Sequence, residues 1–183
     1  MLEDQLQRLH SFWFEKIEIS LAYYDHQIVR WFYGKDNQFD EDCINQFSNT
    51  LNIPNILNFT PTSPTSLLGL ILLFDQIPRN SFRNSKKAYQ YDIQAQNLVL
   101  KYLESSFEES LTLPEKIFFY MPLQHSENIE HQKISLAKFQ AIHKKAPHQI
   151  RNWTELGVRK AVEHYEEINK FGHFRGRKSQ QGA

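Results

Sequence analysis

The chain has 183 residues, 40% of them hydrophobic and 14% aromatic, which is enough apolar material for one packed domain and excludes global disorder. Lys plus Arg and Asp plus Glu number 21 each, so the basic excess of a general nucleic-acid binder is absent. The one cysteine, Cys43, excludes an intrachain disulfide, and the longest apolar run, Leu67 to Phe74, is far short of the roughly 20 residues of a membrane helix.

The predicted elements begin with a helix over 2–14, where Leu2, Leu6, Leu9 and Trp13 recur at three- and four-residue spacing. Residues 17–33 are ambiguous, although Ile28, Trp31 and Phe32 suggest a second apolar face before Gly34 and Asp36-Asn37 break the pattern. Asp40 reads as the N-cap of a third helix with Ile44, Phe47 and Leu51 inward. Three prolines between Asn52 and Pro64 mark a loop, and Ser63-Pro64 supplies a capping hydroxyl followed by proline at the first helical position. The helix from Thr65 to Phe74 is apolar nearly all round, so it is expected at the centre, ending or kinking before Pro78.

Asn84 or Ser85 is expected to cap a long helix to Glu104 with Ala88, Tyr91, Ala95, Leu98, Val99 and Tyr102 in one stripe. Pro114 starts a short apolar helix that Pro122 is expected to interrupt. A helix from Ser126 to Lys144 and a last one from Gln149 to Lys170 follow, and the basic stretch 172–183 reads as a mobile tail. No strand-like alternation is evident. The expected fold is all-α: one domain over 1–183, with about seven helices in stacked antiparallel pairs or an irregular bundle.

Polar residues on apolar stripes locate the candidate site. Asp92, Gln132 and His164 each fall at helical spacing from apolar neighbours, so all three are expected to face inward, with His125 at a helix mouth. A buried carboxylate needs a partner, and Arg79 offers a bidentate fork. An Asp92–Arg79 or Asp75–Arg79 ion pair is one reading; convergence of these groups with His125 and His164 on a pocket is the other. His125-Ser126-Glu127 reads as a helix start, with Ser126 as cap and Glu127 in the first turn, which leaves His125 unexplained. His125, Glu127, His131 and His164 match no zinc-site spacing, so no metal and no cofactor is expected. No nucleophile elbow and no glycine-rich phosphate loop is present.

Charge is unevenly spread. Residues 133–183 hold 11 Lys or Arg against 4 Glu, while residues 1–132 hold 10 against 17 acids. Either the two halves attract each other, or the basic C-terminal segment walls an anion site. The acidic start Met1-Leu2-Glu3-Asp4 is unlike a signal peptide, and with the lone thiol it points to a cytoplasmic protein.

Several segments occur together in a familiar order: Phe12-Trp13-Phe14, Trp31-Phe32 followed by Phe39-Asp40, Leu73-Phe74-Asp75-Gln76-Ile77-Pro78-Arg79-Asn80, Tyr120-Met121-Pro122 with His125-Ser126-Glu127, and His164 ahead of Phe171-Gly172. In these the chain resembles the bacterial domain-of-unknown-function 924 family over nearly its whole length. The resemblance implies a tetratricopeptide-like stack of antiparallel helix pairs, and no established activity or cofactor. It marks Asp75, Gln76, Pro78, Arg79, Asn80 and Asp92 as motif residues, then Tyr120, Pro122, His125, Ser126, Glu127 and His164. In the tail it marks Phe171, Gly172, Phe174 and Arg177. The tail departs from the pattern: His173 stands where the family has arginine and Gly176 where it has histidine.

The expected function is binding of a small anionic ligand or of a peptide or protein partner, without nucleic acid and without a membrane. The ligand-binding candidates are Gln76, Arg79, Asn80, Asp92, Tyr120, Ser126, Gln132 and Arg177. The alternative is an acid–base hydrolase or transferase using His125, Glu127, His164 and Asp75.

Overall fold

The computed structural model describes residues 1–15, 20–32 and 37–178. The break read at Gly34 and Asp36 and the tail residues 179–183 lie outside the described residues. All regular elements among the described residues are helical. They are α1 (Leu2–Phe14), α2 (Leu21–Phe32), α3 (Asn37–Phe47), α4 (Pro64–Asp75), α5 (Ile77–Ser81) and α6 (Asp92–Tyr102). These are followed by α7 (Ser106–Ser110), α8 (Leu113–Gln124), α9 (Ile129–Lys145), α10 (Arg151–Phe171) and α11 (Arg175–Lys178). The expectation of about seven is therefore too low. The additional segments are one-turn helices such as α5 and α7, too short to show a periodic apolar stripe.

Helix α4 is the hub. Every residue from Ser66 to Asp75 is buried, as a helix apolar all round demands. It packs against α1, α6 and α8. Its start is the one read from Ser63-Pro64: the Ser63 hydroxyl accepts the Ser66 amide at 3.1 Å. Gly69 gives α1 its close approach, because a Cβ there would lie 2.2 Å from the Leu6 carbonyl oxygen. At the other end α4 stops at Asp75 and α5 restarts with Pro78 in its first turn, as the proline required. Beside α4 the rings of Trp13, Phe14 and Trp31 meet Phe118 of α8, with centroids 4.8–5.6 Å apart.

Four boundaries differ from expectation. Asp40 is inside the first turn of α3 and its carboxylate grips Arg83, while Ile44 is 38% exposed. The helix expected from Asn84 or Ser85 is a 3-10 turn over Lys86–Tyr89, capped by Ser85, and α6 begins only at Asp92. Pro122 does not interrupt α8, which runs on to Gln124. Proline there removes one helical N–H, and the burial of Ile117 to Gln124 outweighs that loss. The helix expected from Ser126 starts at Ile129, capped by the Asn128 side chain on the Glu130 amide at 2.9 Å.

Candidate functional site

Asp75, the last residue of α4, is 1% exposed. Its Oδ1 lies 2.8 Å from Nδ1 of His125 and 3.2 Å from Nη1 of Arg79, and its Oδ2 accepts from the Gln76 amide. Burial alone would raise the Asp75 carboxyl; the neighbouring Arg79 and His125 more than reverse this and hold it well below the usual carboxylate range. Arg79 is one helical turn beyond Asp75. It donates to the Asp75 carbonyl at 2.6 Å and forks onto both oxygens of Asp92, at 2.8 and 3.0 Å. Burial opposes the charge of Arg79, but Asp75 and Asp92 hold it firmly protonated.

A second arginine reaches the same acid from the far end of the chain. Arg177 of α11 lies 3.1 Å from Asp92 Oδ2 and donates to the His125 carbonyl at 3.0 Å. Its guanidinium stacks over Tyr89 and Phe174. The Phe174 amide donates to Glu127 at 2.9 Å, and the Phe174 ring meets His164 edge-on at 5.1 Å. Residues 174–177 are thus docked behind the site. Arg79 and Arg177, the two candidate anion holders, are both spent on Asp92.

In front of this network opens a cleft of about 520 Å³. Helix α8 lines it with Ile117, Met121 and Gln124, one face of the helix by their four- and three-residue spacing. Helix α10 contributes Trp153, Leu156, Gly157, Lys160 and His164 on the same principle, with Arg159 at the rim. Trp31 and Phe139 complete the apolar wall, and Gln76, Arg79, Asn80, Arg83 and His125 the polar one. Among the described residues no Asp or Glu lines the cleft. Arg159 and Lys160 share a single carboxylate, Glu163, at 3.9 and 2.6 Å, so the rim keeps a positive excess.

Both histidines present acceptors. His164 Nδ1 is 3.1 Å from the Gln124 carbonyl, which can only accept, so Nδ1 carries the proton and Nε2 is left with its lone pair. Burial, with His125 nearby, pushes His164 down to about 4. Burial and then Arg79 lower His125 as well, with Asp75 opposing. Its Nδ1 donates to Asp75, so Nε2 is again the lone-pair atom. Gln124 between them is 5% exposed, and its buried Nε2 has no partner among the described residues.

Of the sequence candidates, Gln76, Arg79, Asn80, His125 and His164 line the cleft. Asp75, Asp92 and Arg177 stand behind them. Glu127 anchors the tail, away from the cleft. Ser126 is not the cap of α9; its hydroxyl takes the Asn128 amide at 3.2 Å and lies 2.9 Å from His131 Nδ1. Gln132 holds the end of α8, donating to the carbonyls of Gln124 at 2.8 Å and Ser126 at 2.6 Å. Tyr120 belongs to a separate buried cluster, donating to Glu108, which Lys138 also contacts at 2.9 Å. Sequence reasoning missed Trp153 and Lys160 and did not single out Gln124 within its stretch from Tyr120 to Glu127. Their spacing on α8 and α10 carried the signal, but neither helix was phased beyond its apolar stripe. Among the described residues no group of three or more His, Cys, Asp or Glu side chains is placed to hold a metal ion, and no helix is long and apolar enough to cross a membrane.

Fold and site together define an all-helical protein with a cationic, half-apolar cleft backed by a buried arginine–carboxylate network. The sequence matches the family described as bacterial protein of unknown function (DUF924) over residues 9–181, and the chain belongs to that family. Its structure is similar to that of the protein of unknown function ATU0120 from Agrobacterium tumefaciens, with a TM-score of 0.69 and 24% identity over 86% of this chain and 84% of that one. That likeness is one of fold. No curated protein matches the sequence.

Proposed function

We propose that the chain binds a small anionic molecule with an apolar body in the cleft between α8 and α10. The observation that carries this reading is a cleft whose lining, among the described residues, includes four Arg or Lys and no acid, with Arg159 and Lys160 sharing the one carboxylate of Glu163. The indoles of Trp31 and Trp153, 6.3 Å apart, suit an aromatic or branched body. A volume near 520 Å³ is of small-molecule size, which favours such a ligand over a peptide or protein partner. The succession α8–α9–α10, each helix packed on the next, supports reading this half as stacked pairs of the tetratricopeptide-like class.

The test is a thermal-shift and calorimetric series of arylalkyl carboxylates and phosphates against the alcohols of the same shape. The acids are expected to stabilise the protein and the alcohols to do so much less. Lys160→Glu and Arg159→Glu should each weaken the acid about tenfold, the worth of one charge-assisted hydrogen bond. Equal affinity for acid and alcohol, or no loss in either variant, overturns the reading.

A further inference from the structure

Holding an anion does not account for the two imidazoles. A lone pair at His125 Nε2 or His164 Nε2 repels a carboxylate; it accepts a proton or an O–H. His125 is also built more firmly than a binding group requires. Its Nδ1 is fixed at 2.8 Å by Asp75, Asp75 is fixed by Gln76 and Arg79, and Arg79 is fixed by Asp92. The result is a buried carboxylate–imidazole pair whose free nitrogen belongs to a cleft-lining ring. Among the described residues no Ser, Thr, Cys or Tyr lines the cleft, and the nucleophile assigned to the pair is water.

We propose that the chain hydrolyses carboxylic esters that carry a separate anionic group, with His125 as general base toward water and Asp75 as its positioning residue. The inference rests on the cleft holding an anion with an apolar body. His125 Nε2 takes a proton from water as the water oxygen bonds to the ester carbonyl carbon. The carbonyl electron pair moves to its oxygen. The pair returns, the carbon–oxygen bond to the alcohol breaks, and the departing oxygen takes the proton from His125. One water is consumed, and an acid and an alcohol are released. The anionic group sits at Lys160 and Arg159, and the apolar portion on Trp31, Trp153 and Phe139.

The experiment uses the full chain with the phenyl monoester of succinic acid, compared with phenyl valerate, which lacks the charge. Saturable release of phenol from the monoester is expected, with the neutral ester much slower. His125→Gln should remove about 100-fold or more of kcat. Asp75→Asn should lower kcat with KM held, and where that buried change prevents folding, His125→Gln carries the test alone. The groups facing His125 are Asp75 from α4, Arg79 from α5, Asp92 from α6, His164 from α10 and Arg177 from α11. Burial and Arg79 lower His125, so the acid limb of kcat should fall below pH 6.5. Hydrolysis that survives in His125→Gln overturns the proposal. So does a monoester that binds, as seen by thermal shift, but is not turned over; in that outcome the anion-binding reading stands. A monoester that does not bind at all removes both.

Discussion

At the scale of residues, the two histidines tie stability to pH. His164 in the folded chain sits at about 4, against about 6.5 when unfolded. Above 6.5 neither state binds the proton and nothing is gained or lost. Between 6.5 and 4 the unfolded chain is protonated and the folded one is not, so stability falls as pH falls through that window. The loss is on the order of 2 kcal/mol once the cleft-side exposure of the ring is allowed for. His125, also lowered, acts in the same direction. Urea midpoints at pH 7 and pH 5 should differ clearly in the parent and less in His164→Gln; an unchanged difference would place the pH dependence elsewhere. The inward placement of Asp92 and the choice of Arg79 as its partner were legible, because an acid on an apolar stripe must be neutralised. The fourfold sharing among Asp75, Arg79, Asp92 and Arg177 was not, since spacing says nothing of how helices distant in sequence converge. Glu127 was misjudged for a related reason. A carboxylate beside His125 reads as chemistry, while its bond to the Phe174 amide depends on a tail that no local pattern docks.

At the scale of elements, the contact of α1 with α4 rests on one missing side chain. Alanine at position 69 would gain up to about 1 kcal/mol of helix propensity. Its Cβ would also lie 2.2 Å from a backbone oxygen, and backbone cannot swing aside as a side chain can. The clash wins: Gly69→Ala should cost about 1–3 kcal/mol net, read as a lowered thermal midpoint with helical content retained. A variant as stable as the parent would show that α1 shifts freely on α4. The sequence announced α4 clearly, by its cap, its proline and its unbroken apolar character. It announced α8 poorly, because Pro122 carries the same breaker signal as Pro78. The difference lies in position. Pro78 is in a first turn, where no N–H is needed, whereas Pro122 is held in an interior turn by burial that sequence alone does not display.

At the scale of the whole molecule, the uneven charge resolves in both of the ways it allowed. Lys138 on Glu108 and Arg177 on Asp92 tie the basic C-terminal part to the acidic remainder, while Arg159 and Lys160 turn the same excess toward the cleft. The two arginines on Asp92 should not weigh equally. Arg79→Met leaves two buried acids without their main partner and should cost about 3–5 kcal/mol. Arg177→Met keeps an apolar stem against Tyr89 and Phe174 and leaves Arg79 in place, so it should cost less than half as much. Chemical denaturation of both variants decides the order, and the reverse order would make the tail, not α5, the keystone of the network. The bonds of this network also differ in reach along the chain: Arg79 finds Asp92 13 residues on, His125 finds Asp75 across 50, and Arg177 finds the His125 carbonyl across 52 more. A chain emerging from the ribosome therefore meets its partners in that order. The arginine–aspartate fork can close first, the carboxylate–imidazole pair next, and the clasp from α11 last, so the imidazole acquires its final setting only once Arg177 has been made.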